Sequence, residues 1–211
     1  MNSRSHETFA GWYSRGYLPH FDSGKVVQSV TFRLADSLPQ EKLRILEEQL
    51  AKMPKINAER ERRTSIEQWL DAGMGCCVLG QPEIAALVQN ALFQFDGERY
   101  FLIAWCIMPN HVHVLLEPKI SLPSILQSWK SWTGKNARIK AQELGLAVPA
   151  QGFWMREYWD RFIRNEEHFQ QVICYIHENP VKAGLCSSPE EWRWSSVWER
   201  QPGNAKLQLG T

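Results

Sequence analysis

Apolar positions recur along this chain with two periods, and the switches between them mark out the elements. KVVQSVTFRL, residues 25 to 34, is rich in β-branched residues and predicts a strand, ended by the turn-forming DSLP. Charged, leucine-containing sequence from about 39 to 70 predicts helix, interrupted near Met53-Pro54. GMGCCVLG predicts a short extended connection. After Pro82, EIAALVQNALFQF spaces its apolar residues for a helix packed on a sheet, and Asp96-Gly97 is a turn signal. RYFLIAWCIM, 99 to 108, is apolar on both faces, which suits a central strand. Pro109-Asn110 then turns the chain into a second strand, so that the two make a hairpin. Ser121 with Pro123 opens a helix running to about Leu144. FWMREYWDRFIR carries both periods, and a strand is assigned to 153 to 159. Asn165 is a good N-cap, with Glu166 and Glu167 placed to complement the helix dipole, so a final long helix starts there.

Strand, helix, hairpin, helix, strand is the order of a split β-α-β unit. The predicted class is therefore α+β, a ferredoxin-like antiparallel sheet with packed helices and an added C-terminal helix. A chain of 211 residues with 44% hydrophobic content supports one substantial core. The predicted organisation is an arm lying on the surface (1–24), a single domain (25–198) with a helical insertion at about 36–80 of unassigned role, and a tail (199–211).

The hairpin's second strand, within MPNHVHVLLEP (108–118), spends two of the chain's six histidines on one short run. Alternation puts His111, His113, Leu115 and Glu117 on one face and Val112, Val114 and Leu116 on the other. Side chains two apart on a face stand roughly 6.5–7 Å apart by rise alone, a separation from which two imidazoles can converge on one ion. Two half-exposed histidines on a sheet face would look the same, so the strand alone leaves both readings open. A histidine-triad nucleotide hydrolase would carry a third alternate histidine, and Leu115 stands in that place.

CYIHENPVKAGL, 174 to 185, breaks the tie. Tyr175 and Asn179 are four apart and share a helical face, so docking that face against the histidines would gather a phenol, a carboxamide and two imidazoles. The H-hydrophobic-H strand, the tyrosine in Y-I-H-x-N-P-V-K-A-G, the W-D-R-F-I-R segment and the W-K-S-W-T helix together resemble single-tyrosine HUH transposases of the IS200 type, and among them the REP-associated tyrosine transposases. The resemblance covers about residues 25 to 198. It implies that His111 and His113 are metal ligands, that Asn179 takes the third ligand position and that Tyr175 is the nucleophile. The implied activity is metal-dependent nicking and joining of single-stranded DNA at hairpins through a 5′-phosphotyrosine bond. Many relatives carry Gln at the third position, and Pro180 biases Asn179 away from helical geometry. The implied cofactor is divalent, Mg²⁺ or Mn²⁺, with a nitrogen-containing ligand set that suits Mn²⁺ more readily. The rival reading is a transposase-derived protein that holds hairpin DNA without cutting it; the intact His111, His113 and Tyr175 set favours the enzyme.

Charge and composition refine the picture. Net charge is only +1. Between Ser121 and Arg164, however, Lys130, Lys135, Arg138, Lys140, Arg156, Arg161 and Arg164 face only Glu143, Glu157 and Asp160, whereas Asp36 to Glu67 balances its signs like a solvated helical face. Candidate DNA-binding residues are Lys130, Lys135, Arg156, Arg161, Arg164 and Lys182, joined by Arg15 and Tyr17 in the SRGYLPHF arm. Trp129, Trp132, Trp154 and Trp159 are interleaved with the cations and could stack on unpaired bases, though tryptophans at such spacing are more often core. His177 falls on a different helix face from Tyr175 and is read as structural. Five cysteines without a C-x-x-C pair predict reduced, mostly buried thiols rather than a disulfide framework or thiolate zinc site. No membrane span or export signal is visible, which predicts a cytoplasmic protein. Monomer and homodimer are equally compatible with the sequence.

Overall fold

The computed structural model describes residues 11–14, 19–22, 26–202 and 204. Four antiparallel strands form the central sheet: β3 (Gln28–Arg33), β4 (Tyr100–Ile107), β5 (His111–Pro118) and β6 (Trp159–Phe162), in the order β4-β5-β3-β6. This is the strand order of a ferredoxin-like unit, as the element order predicted. Arg15, Tyr17 and most of the 199–211 tail lie outside the described residues. The expected featureless arm contains a small antiparallel hairpin, β1 (Gly11–Ser14) with β2 (Pro19–Asp22). Backbone pairing there needs no hydrophobic alternation, which is why periodicity missed it.

The two faces of the sheet are covered differently. Val30, Phe32, Val112, Val114, Leu116, Trp105 and Ile107 face helices α3 (Pro82–Phe93) and α4 (Leu122–Glu143) in the main core. Trp129, Tyr100 and Leu92 share a buried polar relay there: Trp129 Nε1 donates to Tyr100 Oη at 2.9 Å, and Tyr100 Oη donates to the Leu92 carbonyl at 2.8 Å. Ala104, Cys106, Met108 and Leu115 face the other way and pack on Ile176 of α5 (Glu166–Lys182). A third, smaller core holds α1 (Gln40–Leu50) and α2 (Lys55–Asp71) together through Leu38, Leu46, Leu50, Ile66 and Leu70, with Trp159 packed against it.

Several expectations need correcting. β4 is an edge strand rather than a central one. Its apolarity on both faces reports that both faces are covered, and its outer edge is partly met by the 194–196 segment: Ile107 N donates to the Trp194 carbonyl at 2.8 Å and Trp105 N to Ser196 Oγ at 3.0 Å. The strand expected at 153–159 falls at 159–162 instead. Phe153 and Met155 still exchange backbone bonds with Ala35 and Arg33, so the segment follows the end of β3 without regular pairing. GMGCCVLG is turned rather than extended, with a 3-10 turn at Val78–Gly80 and Cys77 at φ 49°. All five cysteines are free thiols as expected, but only Cys106 is buried. Among the described residues no helix is long and apolar enough to cross a membrane.

The N-cap of α5 follows the sequence reading: Asn165 Oδ1 accepts from His168 N at 2.8 Å. Replacing Asn165 by Ala removes that acceptor, with an expected cost of about 1 kcal/mol. The check is a urea titration in which the midpoint falls and the slope is unchanged.

Candidate active site

The antiparallel register sets Thr31 opposite His113 and Arg33 opposite His111. All four side chains therefore project to the α5 side of the sheet. His111 and His113 are 1% and 3% exposed, and their rings meet at a 4.6 Å centroid separation and 88°. Their Nε2 atoms are 2.8 Å apart. Each Nδ1 has its own partner, Asn110 Oδ1 for His111 at 2.7 Å and Thr31 Oγ1 for His113 at 2.9 Å. Burial, then the neighbouring His113 and Arg33, hold His111 well below the usual imidazole range, so it is neutral at physiological pH. Neutral imidazole is the form that donates a lone pair to an ion.

α5 brings the second half. The Tyr175 ring packs edge-on to His113, with centroids 5.4 Å apart at 80°. One turn on, Asn179 is fully buried, and its Nδ2 donates to the Tyr175 carbonyl at 2.7 Å. Its Oδ1 is buried without a hydrogen-bond partner among the described residues. The expected departure of Asn179 from helical geometry does not occur: α5 runs through Pro180, with Ala183 N donating to Asn179 O at 2.9 Å and Leu185 N to Pro180 O at 2.8 Å. Lys182 Nζ lies 5.1 Å from the Tyr175 ring centre. His177 points elsewhere and pairs with Ser196 Oγ at 2.8 Å, a structural contact.

A buried amide oxygen left without a donor is costly unless something else meets it. Two imidazole nitrogens and an amide oxygen are a nitrogen, nitrogen, oxygen donor set of a kind that could hold a divalent ion. Among the described residues no group of three His, Cys, Asp or Glu could do so.

The basic candidates divide into two groups. Lys130, Lys135 and Arg156, joined by Arg138, line a cavity of about 470 Å³ between α4 and the 153–158 segment, with no acidic side chain in its wall. Burial pushes Lys130 down to about 8, with Glu157 opposing the shift, and its Nζ donates to the Arg156 carbonyl at 2.7 Å. Arg161 instead lies opposite Ser29, on the histidine side of the sheet, and is exposed, as are Arg164 and Lys182. Of the four tryptophans, Trp129 and Trp154 are core, Trp159 is half-buried with the Arg33 guanidinium 5.4 Å from its ring, and Trp132 is exposed. Missed from sequence were Asn110, taken only as a turn residue, and Thr31, whose place opposite His113 is a property of the sheet.

The profile of the family described as "Transposase IS200 like" matches residues 83–179, which contain both histidines, Tyr175 and Asn179. This segment is thus similar to the IS200-like transposases. The chain is similar to the REP-associated tyrosine transposase of Escherichia coli (strain K12), with 25% identity over 111 residues, 52% of this chain and 62% of that one. It is similar also to a putative REP-associated tyrosine transposase of Haemophilus influenzae (strain ATCC 51907 / DSM 11121 / KW20 / Rd), with 27% identity over 101 residues, 44% of this chain and 57% of that one. The matched region thus spans about three-fifths of these relatives' length. A solved REP-associated tyrosine transposase bound to a REP hairpin shares the fold, with a TM-score of 0.54, 16% identity, and coverage of 88% of this chain and 84% of that one.

Asp71, at the end of α2, lies in the field of Lys182. Its carboxyl is pushed up to about 6, first by burial and then by Glu67, with Lys182 opposing. Folding therefore favours its protonated form, and this group's contribution to stability falls as pH rises from about 4 through 6. Asp71→Asn is expected to stabilise the fold at pH 7 by on the order of 1 kcal/mol, most of the nominal gain being screened by solvent, and by nothing measurable below about pH 4. Paired urea titrations at the two pH values check this.

Proposed function

We propose that this chain cuts and rejoins single-stranded DNA beside a hairpin, with Tyr175 as nucleophile and His111, His113 and Asn179 as the ligands of a divalent ion, Mg²⁺ or Mn²⁺. The observation that carries this reading is the packing of the Tyr175 ring against His113, whose Nε2 is paired with that of His111, by a helix that also bears the unmet Asn179 Oδ1. The bound ion would supply Lewis-acid polarisation of the scissile phosphate.

The chain's own residues do the rest. Tyrosine is a weak nucleophile at neutral pH and must be held in line with phosphorus. Its position on a helix, against a sheet whose histidines are held by hydrogen bonds, would serve that alignment. Tyr175 Oη forms the bond to phosphorus and gives up its proton, while the bond from phosphorus to the 3′ oxygen breaks and that oxygen leaves as a hydroxyl. The 5′-phosphotyrosine conserves the diester's energy, so a 3′-hydroxyl can reverse the step without ATP. Lys182 Nζ, 5.1 Å from the Tyr175 ring centre, would offer a positive charge near the reacting phosphate.

The relatives' association with REP hairpins and the acid-free cavity between α4 and the 153–158 segment support a hairpin substrate with an unpaired 5′ flank. Lys130, Lys135 and Arg156 would meet stem phosphates, while Arg161 on the histidine side of the sheet, Lys182 beside the Tyr175 ring and the exposed Arg164 would meet the rest of the strand. Arg15 and Tyr17 are proposed to contact the flank. Of the four candidate tryptophans, Trp132 is the exposed one, available for stacking on an unpaired base. The domain limits 25–198 and a cytoplasmic location belong to the same proposal.

Tyr175→Phe removes one oxygen, so it is expected to fold and bind hairpin DNA normally while forming no covalent protein–DNA adduct on denaturing gels. Adduct formation by that variant assigns the nucleophile elsewhere, and hairpin binding by the native chain with no adduct marks a non-catalytic binder. In a melting assay, Mn²⁺ should raise the midpoint of the native chain and leave that of His113→Ala unmoved. Unaltered cleavage in excess EDTA contradicts the metal. Lys135→Glu should weaken binding to all hairpins alike and lower the slope of log affinity against log salt by about one or more.

A further inference from the structure

We infer that Asn110, clamped by the C-terminal turn of α2, is a positioning residue that fixes His111 in the tautomer able to bind an ion, and that this gives the helical insertion a part in the site. The inference rests on the metal-binding reading of the two histidines.

Asn110 is fully buried. Its Nδ2 donates to the Leu70 carbonyl at 3.1 Å and to the Met74 carbonyl at 2.9 Å. Two carbonyls on one side use both amide hydrogens and settle which end of the amide is nitrogen. The oxygen turned to His111 can only accept, so His111 Nδ1, 2.7 Å away, must carry the proton. A neutral imidazole has one N–H, and His111 Nε2 is therefore left with a free lone pair.

The proton count then runs outward. His113 Nε2, 2.8 Å from that lone pair, is the donor when no ion intervenes, and its Nδ1 accepts from the Thr31 hydroxyl at 2.9 Å. To bind an ion, His113 must shift its proton from Nε2 to Nδ1, with no net gain or loss. A hydroxyl permits this, because it can reverse from donor to acceptor, whereas a carboxamide oxygen cannot. His111 is thus the fixed ligand and His113 the adjustable one.

The clamp is built by the way α2 ends. Past the helix end, Leu70 O accepts from Gly73 N at 3.0 Å as well as from Asn110, and Gly73 at φ +69° turns the chain toward Met74, whose carbonyl meets the same amide. Gly75, at φ +87°, admits no side chain, since a Cβ would stand 2.8 Å from the Asp36 carbonyl oxygen. From the other side, Leu34 N donates to Asn110 O at 2.9 Å and Leu79 N to Pro109 O at 3.0 Å, pinning the turn that carries Asn110.

The test uses the full chain labelled with ¹⁵N-histidine. Long-range ¹H–¹⁵N correlation without metal, assigned against His111→Gln, should show His111 protonated on Nδ1. Calorimetry should find Mn²⁺ binding weakened about 10- to 100-fold in Asn110→Ala, the usual effect of losing a ligand's orienting partner. Asn110→Asp loses both anchoring donors but keeps an acceptor oxygen; it should melt lower yet hold Mn²⁺ within about threefold of the native chain. A purely structural Asn110 would make Asp as damaging as Ala, and that result overturns the inference. So does an Nε2-protonated His111 in the native chain, a measurement that needs no folded Asn110 variant. Native chain with the Nδ1 proton but no Mn²⁺ binding overturns the metal reading instead and leaves the Asn110 assignment standing.

Discussion

The pairing of β3 with β5 is the constraint on which the rest depends. It sets Thr31 across from His113 and Arg33 across from His111, and it sends Val30, Phe32, Val112 and Val114 to the opposite core. A slip of one residue on β5 would turn both imidazoles into the packing of α3 and α4 and bring valines under Tyr175. The register is therefore held by the hydrophobic core, and the site inherits its precision from packing that takes no part in its chemistry.

That arrangement buries polar groups, and the surroundings offset the cost. His111, His113, Asn110 and Asn179 are all nearly inaccessible, yet each imidazole meets a partner at both nitrogens and Asn110 uses both its amide hydrogens and its oxygen. The unmet atom is Asn179 Oδ1. In a neighbourhood where the other polar atoms of these four side chains are satisfied, one unmet oxygen on the tyrosine helix is a local destabilisation that binding could relieve.

The two segments that depart from a minimal split β-α-β unit both brace this centre. α1 and α2 share a core that includes Leu70, whose carbonyl holds Asn110, and Trp159 packs against that core from the sheet. At the opposite edge, residues 194–196 pair with β4, while Ser196 Oγ also meets His177 of α5. The insertion and the C-terminal segment thus hold the hairpin and the tyrosine helix from two directions.

Element types, the histidine alternation, the Asn165 cap and the shared face of Tyr175 and Asn179 were legible in the sequence, because each depends on residues within a few positions of one another. The family resemblance added roles to them. Edge against centre for β4, the place of β6, and the helical course through Pro180 were not legible, since these follow from what packs on each segment rather than from its own periodicity. Nor could the chain show that its basic residues divide between a cavity beside α4 and the histidine side of the sheet. Asn110 shows the limit most clearly: locally it is a turn residue, and only the meeting of a β-hairpin with a helix end some 40 positions earlier makes it the partner of His111. Hydrogen-bond direction at a buried site is set by whichever carbonyls the fold brings there, and that is decided by tertiary structure alone.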